Sequence, residues 1–397
     1  MRLKIVFLIT LGAILSGKPQ ASPAQTPTPP SLKKIEDITV YRDERFYCAF
    51  PSIVHRPDGE LIVAFRRAPE RRNWGATGYT HTDPNSYLVL VRSKDGGKTW
   101  SQRPELLYAN PFGGSQDPCM VQLSDDSILC ASYGWALFTT PPPASMTNVF
   151  RHQNFVGLGG FILRSKDGGH SWGEPIIPPA ARGETIFDPF GKPAPACNRG
   201  AMCEGRDGRI FWAVVCSTAV RDKTETHLMI SSDKGTTWKD SCVIATDPRI
   251  TFNETSLHET PKGDLIAFTR TENFDDHTVI VRSTNSGKSF EPWQDSGFKG
   301  HPHSALRLPD QRVLLVYGYR HPRFGIRARV LNAECTDFAA AEEMVLREDG
   351  AGGDLGYPWA AMISKSRALV VYYFQLADGI RHIAGSVLEF PPAEKPQ

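Results

Sequence analysis

One short pattern, Ser-x-[Asp/Asn]-x-Gly-x-[Thr/Ser]-[Trp/Phe], occurs four times: Ser93 to Trp100, Ser165 to Trp172, Ser231 to Trp238 and Ser283 to Phe290. Its chemistry is that of a tight hairpin turn. The Asp or Asn side chain accepts backbone N–H bonds, Gly takes a positive φ, and the aromatic ring packs back onto the sheet. Each copy follows an apolar strand such as Tyr87 to Val91 or Thr278 to Val281. A single copy would mark a local turn, whereas four copies at one place in a recurring unit require a repeat architecture.

The recurring unit is larger than the turn. Six times a short β-prone run, a turn that is usually Asp/Gly-like and a second apolar run follow one another: PSIVHRPDGELIVAF from Pro51, PCMVQLSDDSILCAS from Pro118, GAMCEGRDGRIFWAV from Gly200, TSLHETPKGDLIAFT from Thr255, HSALRLPDQRVLLVY from His303 and WAAMISKSRALVVYY from Trp359. Each reads as a β-hairpin. A hairpin followed by a second hairpin at the Asp turn makes a four-stranded blade. The expected fold is therefore all-β, a six-bladed propeller of four-stranded blades. At 397 residues the chain is long for one compact core but normal for stacked repeats. The fifth blade keeps its third strand (Phe324 to Val330), with only the aromatic of its turn retained. The sixth has no strand after Ile380 to Phe390, so Ile35 to Tyr41 is expected to supply it and close the ring.

Before the propeller, Met1-Arg2-Leu3-Lys4 leads into an apolar run from Ile5 to Leu15 and then small residues through Ala24. A basic start, a short apolar stretch and a small-residue exit describe an export signal too short to span a bilayer. The division expected is a signal peptide at 1–24, a Pro-rich linker at 25–34 and the propeller at 35–393, in a secreted or periplasmic protein without membrane insertion after signal removal. A formal charge of +2 gives no reason for nucleic-acid binding. The chain is expected to be a monomer. The eight cysteines show no metal-ligand spacing; some could pair in an exported protein, and most sit in apolar strand contexts suited to buried thiols. No metal site or cofactor is expected: His301-Pro302-His303 lacks further ligands at a recognisable spacing, and the glycines of SKDGG open no helix.

Strand direction alternates within a blade, so the Asp turns and first-hairpin turns share one rim. The opposite rim receives the longest loops, Arg66 to Asn85 and Gly134 to Gly157, and is the expected binding face. The strand-one starts there carry Gln116 and Asp117, Asn198 and Arg199, Asn253 and Glu254, His301 and His303, and Asp354 and Tyr357. The strand-two ends carry Arg66, Arg67, Arg270 and Arg320. Such a set suits an anionic or polyhydroxylated ligand.

Four Asp turns on six blades resemble the sialidase (neuraminidase) superfamily with its BNR repeats, over nearly all of the chain after residue 34. The resemblance implies a Glu at the start of strand one and a substrate-binding Arg at the end of strand two in blade four, here Glu254 in FNETSL and Arg270 in AFTRTE. It implies a nucleophilic Tyr in a Gly-Tyr pair before the last hairpin, here Tyr357. A neutral Tyr deprotonated by Glu254 would approach an anionic sugar without charge repulsion. A second substrate Arg would be Arg320 or Arg327. The acid/base of the family maps to Asp83, with His81 as competitor; Asp117, Arg199, Arg66 and His301 complete the candidate substrate contacts.

One position departs from the family. Its Arg-Ile-Pro start of blade one is Cys48-Ala49-Phe50-Pro51 here, so Ala49 stands where the first arginine of a three-arginine clamp belongs. One lost bidentate contact is worth about 2–4 kcal/mol unless Arg45, Arg66, Arg67 or Arg199 replaces it. The expected activity is an exo-glycoside hydrolase acting on a terminal, acidic sugar of a glycan. The alternatives are a lyase or another sugar's hydrolase, with His81, His301 or His303 acting beside a tyrosine, and a non-catalytic carbohydrate-binding propeller.

Overall fold

The computed structural model describes residues 32–75, 81–137, 151–152, 155–218 and 223–390. The segment read as an export signal, 1–24, and most of the 25–34 linker lie outside the described residues. Six four-stranded antiparallel sheets follow one another along the chain. Blade one is Phe46–His55, Leu61–Pro69, Tyr87–Ser93 and Glu105–Tyr108; blade four is Thr251–Glu259, Leu265–Glu272, His277–Ser283 and Gln294–Lys299. The ring closes as the sequence requires. Lys33–Tyr41 pairs with His382–Glu389, running from Lys33 opposite Glu389 to Tyr41 opposite Ile383.

Burial explains why hairpin-forming runs settle into blades. Second strands are covered on both faces by neighbouring blades, so Leu61, Ile62, Val63, Ala64 and Phe65 are all fully buried and show no alternation. Fourth strands lie outermost and alternate, as in Gln294–Lys299, where Ser296 and Phe298 are buried between exposed neighbours. Blade two varies the scheme: its fourth hydrogen-bonded strand is Arg151–His152, and the usual outer position shrinks to one bridge between Ile162 and Ile176.

The Asp turns form the bonds their chemistry demands. In blade one Asp95 accepts the Thr99 N–H at 2.9 Å, and Ser93 Oγ accepts the Gly97 N–H at 2.9 Å. The Trp100 indole donates to the Gly97 carbonyl at 3.1 Å. Gly97 has φ of 89°, with Gly169, Gly235 and Gly287 alike. All eight cysteines are unpaired.

Candidate active site

Four of the six strand-one starts carry a bulge, between Ala49 and Ser52, Gln116 and Cys119, Phe252 and Thr255, and Gly356 and Trp359. In three of them the residue before a proline sits in the left-handed region: Phe50 at φ 58°, Asp117 at 40° and Tyr357 at 52°. A bulky residue rarely adopts that conformation, and one before proline is biased to extended backbone, so each position stores strain of about 1–3 kcal/mol. The bulge re-aims the side chain out of the strand's alternation and toward the propeller axis.

There a cavity of about 370 Å³ opens, lined by residues that include His81, Gln116, Tyr133, Glu184, Arg199, Glu254, Arg270 and Tyr357. That size falls within the ~300–1,000 Å³ of small-molecule sites. A hollow of about 520 Å³ lies on the opposite rim, among Glu204, Arg206, Glu259 and Arg307. It is bigger, but its charges are spent: Arg206 faces Glu259 at 3.5 Å, and Lys234 binds Glu204. No Asp-turn residue lines the axial cavity.

At the cavity floor the Tyr357 hydroxyl donates to Glu254 Oε1, while Arg270 donates to Glu254 Oε2 at 2.7 Å. Burial, followed by the Glu254 charge, pushes the Tyr357 phenol well above its usual value. Burial would also raise the Glu254 carboxyl, but Arg270, the Tyr357 hydrogen bond and Arg320 outweigh it and bring it down to about 2. The resting pair is thus an ionised glutamate holding a neutral phenol. Arg320 stands beside the ring, 5.0 Å from its centroid, and donates to the Leu355 carbonyl at 3.0 Å and the Tyr373 hydroxyl at 3.2 Å. Arg199 also lies over the Tyr357 ring, 5.3 Å from its centroid, and donates to Pro51 O at 2.9 Å.

Several expected residues lie elsewhere. Asp83 is fully buried and does not line the cavity. Arg71 clamps its carboxylate at 2.6 and 3.0 Å, and the Asn85 N–H adds 2.8 Å, which makes it the anchor of its loop. His81, two residues earlier, faces the cavity with its side chain half exposed, its ring 5.0 Å from Phe50 and Nδ1 3.9 Å from Asp354. Arg327 is 4% exposed and spends its guanidinium on the carbonyls of Ile326, Arg347 and Arg323. His301 is buried 3.7 Å from Asp276, and His303 binds Thr278 at 2.7 Å; neither lines the cavity.

The gap left by Ala49 is filled without an accessible cation. Arg66, opposite Ala49 in register, is fully buried between the Tyr47 and Phe50 rings, 5.4 and 5.8 Å from their centroids. Phe50 covers it and touches Tyr357 at 4.7 Å and Tyr373 at 5.1 Å. Arg45 and Arg67 bind Asp43 on the outer side. Among these substitutes only Arg199 lines the cavity.

Two acidic groups gain weight from the structure. Asp117 is 1% exposed, and burial, partly offset by Arg199, raises its carboxyl to about 6. Tyr133 donates to it at 2.7 Å. Glu184, which the sequence reading passed over, lines the blade-three wall, accepts the Ile186 and Ser217 N–H groups at 2.8 and 3.1 Å, and is raised by burial. It lies in an inter-blade connection with no counterpart in the repeat. The signal for Phe50, Asp117 and Tyr357 was present: each precedes proline at a strand-one start.

A family model described as BNR repeat-like domain matches residues 147–370. No curated protein matches the sequence. Among solved structures, a protein of unknown function from Dyadobacter fermentans is 54% identical with a TM-score of 0.87, across 91% of this chain and 99% of that one. The Hadza microbial sialidase Hz136 is 17% identical with a TM-score of 0.63, across 86% and 65%. An alpha-L-arabinanase from Penicillium chrysogenum, complexed with arabinobiose, is 15% identical with a TM-score of 0.60, across 91% and 99%. The last two likenesses are of fold.

Proposed function

The chain belongs to the BNR repeat-like family, and on that premise we propose that its axial cavity is the active site of an exo-acting glycoside hydrolase. One observation carries the reading. The phenol of Tyr357 is bonded to an ionised carboxylate, Glu254, that Arg270 holds in place, at the floor of a cavity sized for a sugar. A buried phenol is a poor nucleophile until its proton leaves, and Glu254 is within reach to take it as the phenolate attacks the anomeric carbon. His81, facing Tyr357 across Phe50 and backed by Asp354, is the proton donor to the departing oxygen that fits the geometry better than Asp83. Asp117, though burial favours its protonated form, does not line the cavity and acts through Tyr133, which does and which donates to it at 2.7 Å.

The substrate is the terminal sugar of a glycan, and in the first reading it carries a carboxylate that meets Arg199 and Arg270 on the lining, with Arg320 adding its charge from behind the Tyr357 ring. A neutral sugar is the second reading, and charge favours giving it room. Glu184, Glu254 and Glu272 face Arg199 and Arg270 on the lining, Arg270 already lies 3.5 Å from Glu272, and Phe50 closes off Arg66. Export of the protein through residues 1–24 belongs to the same proposal.

The test is a panel of aryl glycosides, comprising sialosides, uronides and neutral pentosides and hexosides, run with wild type and Tyr357→Phe. Wild type releases the phenol from one class, and the variant loses at least about 10³-fold in kcat. Undiminished turnover in Tyr357→Phe sinks the assignment of the nucleophile.

A further inference from the structure

Behind the blade-three wall lies a group of metal-ligating side chains that this chemistry does not use. Cys216 stands on Ile210–Ser217, and Glu225 and His227 on the adjacent Thr224–Ser231. The register sets Cys216 opposite Glu225 and Val214 opposite His227. Side chains alternate across a strand, so the three share one face, while Val215, Ser217 and Thr224 turn the other way and line the cavity.

The cluster is closed and convergent. Cys216 and His227 are 1% and 2% exposed, and the Glu225 side chain 21%. The sulfur, a carboxylate oxygen and a ring nitrogen lie within 4.8 Å of one another, with His227 Nε2 2.9 Å from Glu225 Oε1. On the far side of the ring, Nδ1 lies 2.8 Å from Asp240 Oδ2, an oxygen fixed by the Arg182 N–H at 2.7 Å. A carboxylate behind an imidazole is the arrangement that orients a ligating histidine and raises the basicity of its other nitrogen. The buried Cys216 sulfur has only long contacts, to the Arg182 and Ser217 carbonyl oxygens at 3.9 and 3.8 Å.

We infer that Cys216, Glu225 and His227 form a binding site for a zinc-class divalent cation, with Asp240 as the outer partner of His227. Sulfur, imidazole and carboxylate donors together select zinc over calcium or magnesium. Bond lengths of about 2.0–2.3 Å place tetrahedral donors about 3.3–3.8 Å apart, so the site closes by small side-chain rotations and leaves one position for water. Binding releases the Cys216 thiol proton and any proton on His227 Nε2 to solvent, with no change of oxidation state. The ion clips the end of the strand whose Ser217 N–H holds Glu184, and so braces the cavity wall.

The experiment uses the purified full chain, stripped with a chelator and titrated with zinc or cobalt. The expected result is one equivalent of zinc retained through dialysis, a thiolate-to-cobalt charge-transfer band in the near ultraviolet, and a zinc-dependent rise in Tm. Cys216→Ser and His227→Gln weaken binding at least about ten-fold, while Cys242→Ser, outside the cluster, leaves it unchanged. If a variant fails to fold, the cobalt band of the wild type still decides. Absence of that band together with a Tm indifferent to zinc overturns the inference and leaves His227 as a structural histidine hydrogen-bonded between Glu225 and Asp240.

Discussion

Replacing Asp117 by asparagine tests whether burial beside the cavity keeps a carboxylic acid protonated up to about pH 6. Asp117 is 1% exposed, and of its two carboxylate oxygens only Oδ2 has a protein hydrogen-bond partner, Tyr133. Its carboxyl is raised from 3.8 to about 6, with burial as the leading cause. Between those values the folded protein holds a proton that the unfolded chain has lost, so stability falls as pH rises through the window. The displacement corresponds to about 3 kcal/mol, fully lost above pH 6 and absent below pH 4. The asparagine side chain carries no charge to bury and can still accept from Tyr133. The Asp117→Asn variant is therefore expected to match wild type near pH 4 and to exceed it by up to about 3 kcal/mol at pH 7. Urea unfolding followed by circular dichroism from pH 4 to 8 reads this as a midpoint difference of up to about 1 M, for a slope of about 3 kcal/mol/M. A difference between the two proteins that does not change with pH refutes the reasoning, because it would mean that Asp117 is ionised throughout.

The two acid/base candidates separate by what each variant damages. Asp83→Asn breaks a pair whose acid is sealed but whose Arg71 is 22% exposed, so it is expected to lose about 2–3 kcal/mol in chemical denaturation, below the ~3–5 kcal/mol of a fully buried pair. His81→Gln is expected to leave stability within about 0.5 kcal/mol and to lower kcat on substrates with poor leaving groups about 10²–10⁴-fold; the reverse pattern returns the role to Asp83. Trp238→Ala removes a ring 8% exposed and packed 5.4 Å from Trp212, for about 3–5 kcal/mol of stability. Its KM and kcat at 25 °C are expected to stay unchanged, and a selective loss of kcat would show that an Asp turn on the far rim couples to the cavity.

The propeller was legible because its information is local. Ser93, Asp95, Gly97 and Trp100 make the turn with their own bonds, whatever surrounds them. Period alone would have misled, since strands such as Leu61–Pro69 are covered on both faces and do not alternate. That Glu254, Arg270 and Tyr357 would meet was legible for the same reason as the turns, because they occupy fixed ends of repeated strands. Glu184 was not, because its connection has no repeat to be compared with. That His81 lines the cavity and Asp83 does not turned on Arg71, twelve residues before Asp83, whose side chain claims the carboxylate. Pairing of that kind leaves no trace in spacing.

Phe50, Asp117 and Tyr357 occupy one structural position in three blades, and of the three only Tyr357 lines the cavity. The bulge before a proline recurs as backbone; only the side chain it carries changes, from a buried ring to a buried acid to the phenol at the cavity floor. At blade one this exchange has an electrostatic consequence. With alanine at 49, a guanidinium still lies at that register, but it belongs to Arg66 on the neighbouring strand and sits beneath the Phe50 ring. Neither the Phe50 ring nor the guanidinium beneath it lines the cavity, so this cation cannot form the bidentate bonds that make an arginine clamp strong. Substituting a covered cation for an open one therefore takes one arginine contact away from this corner, while the Tyr357, Glu254 and Arg270 arrangement next to it is left intact.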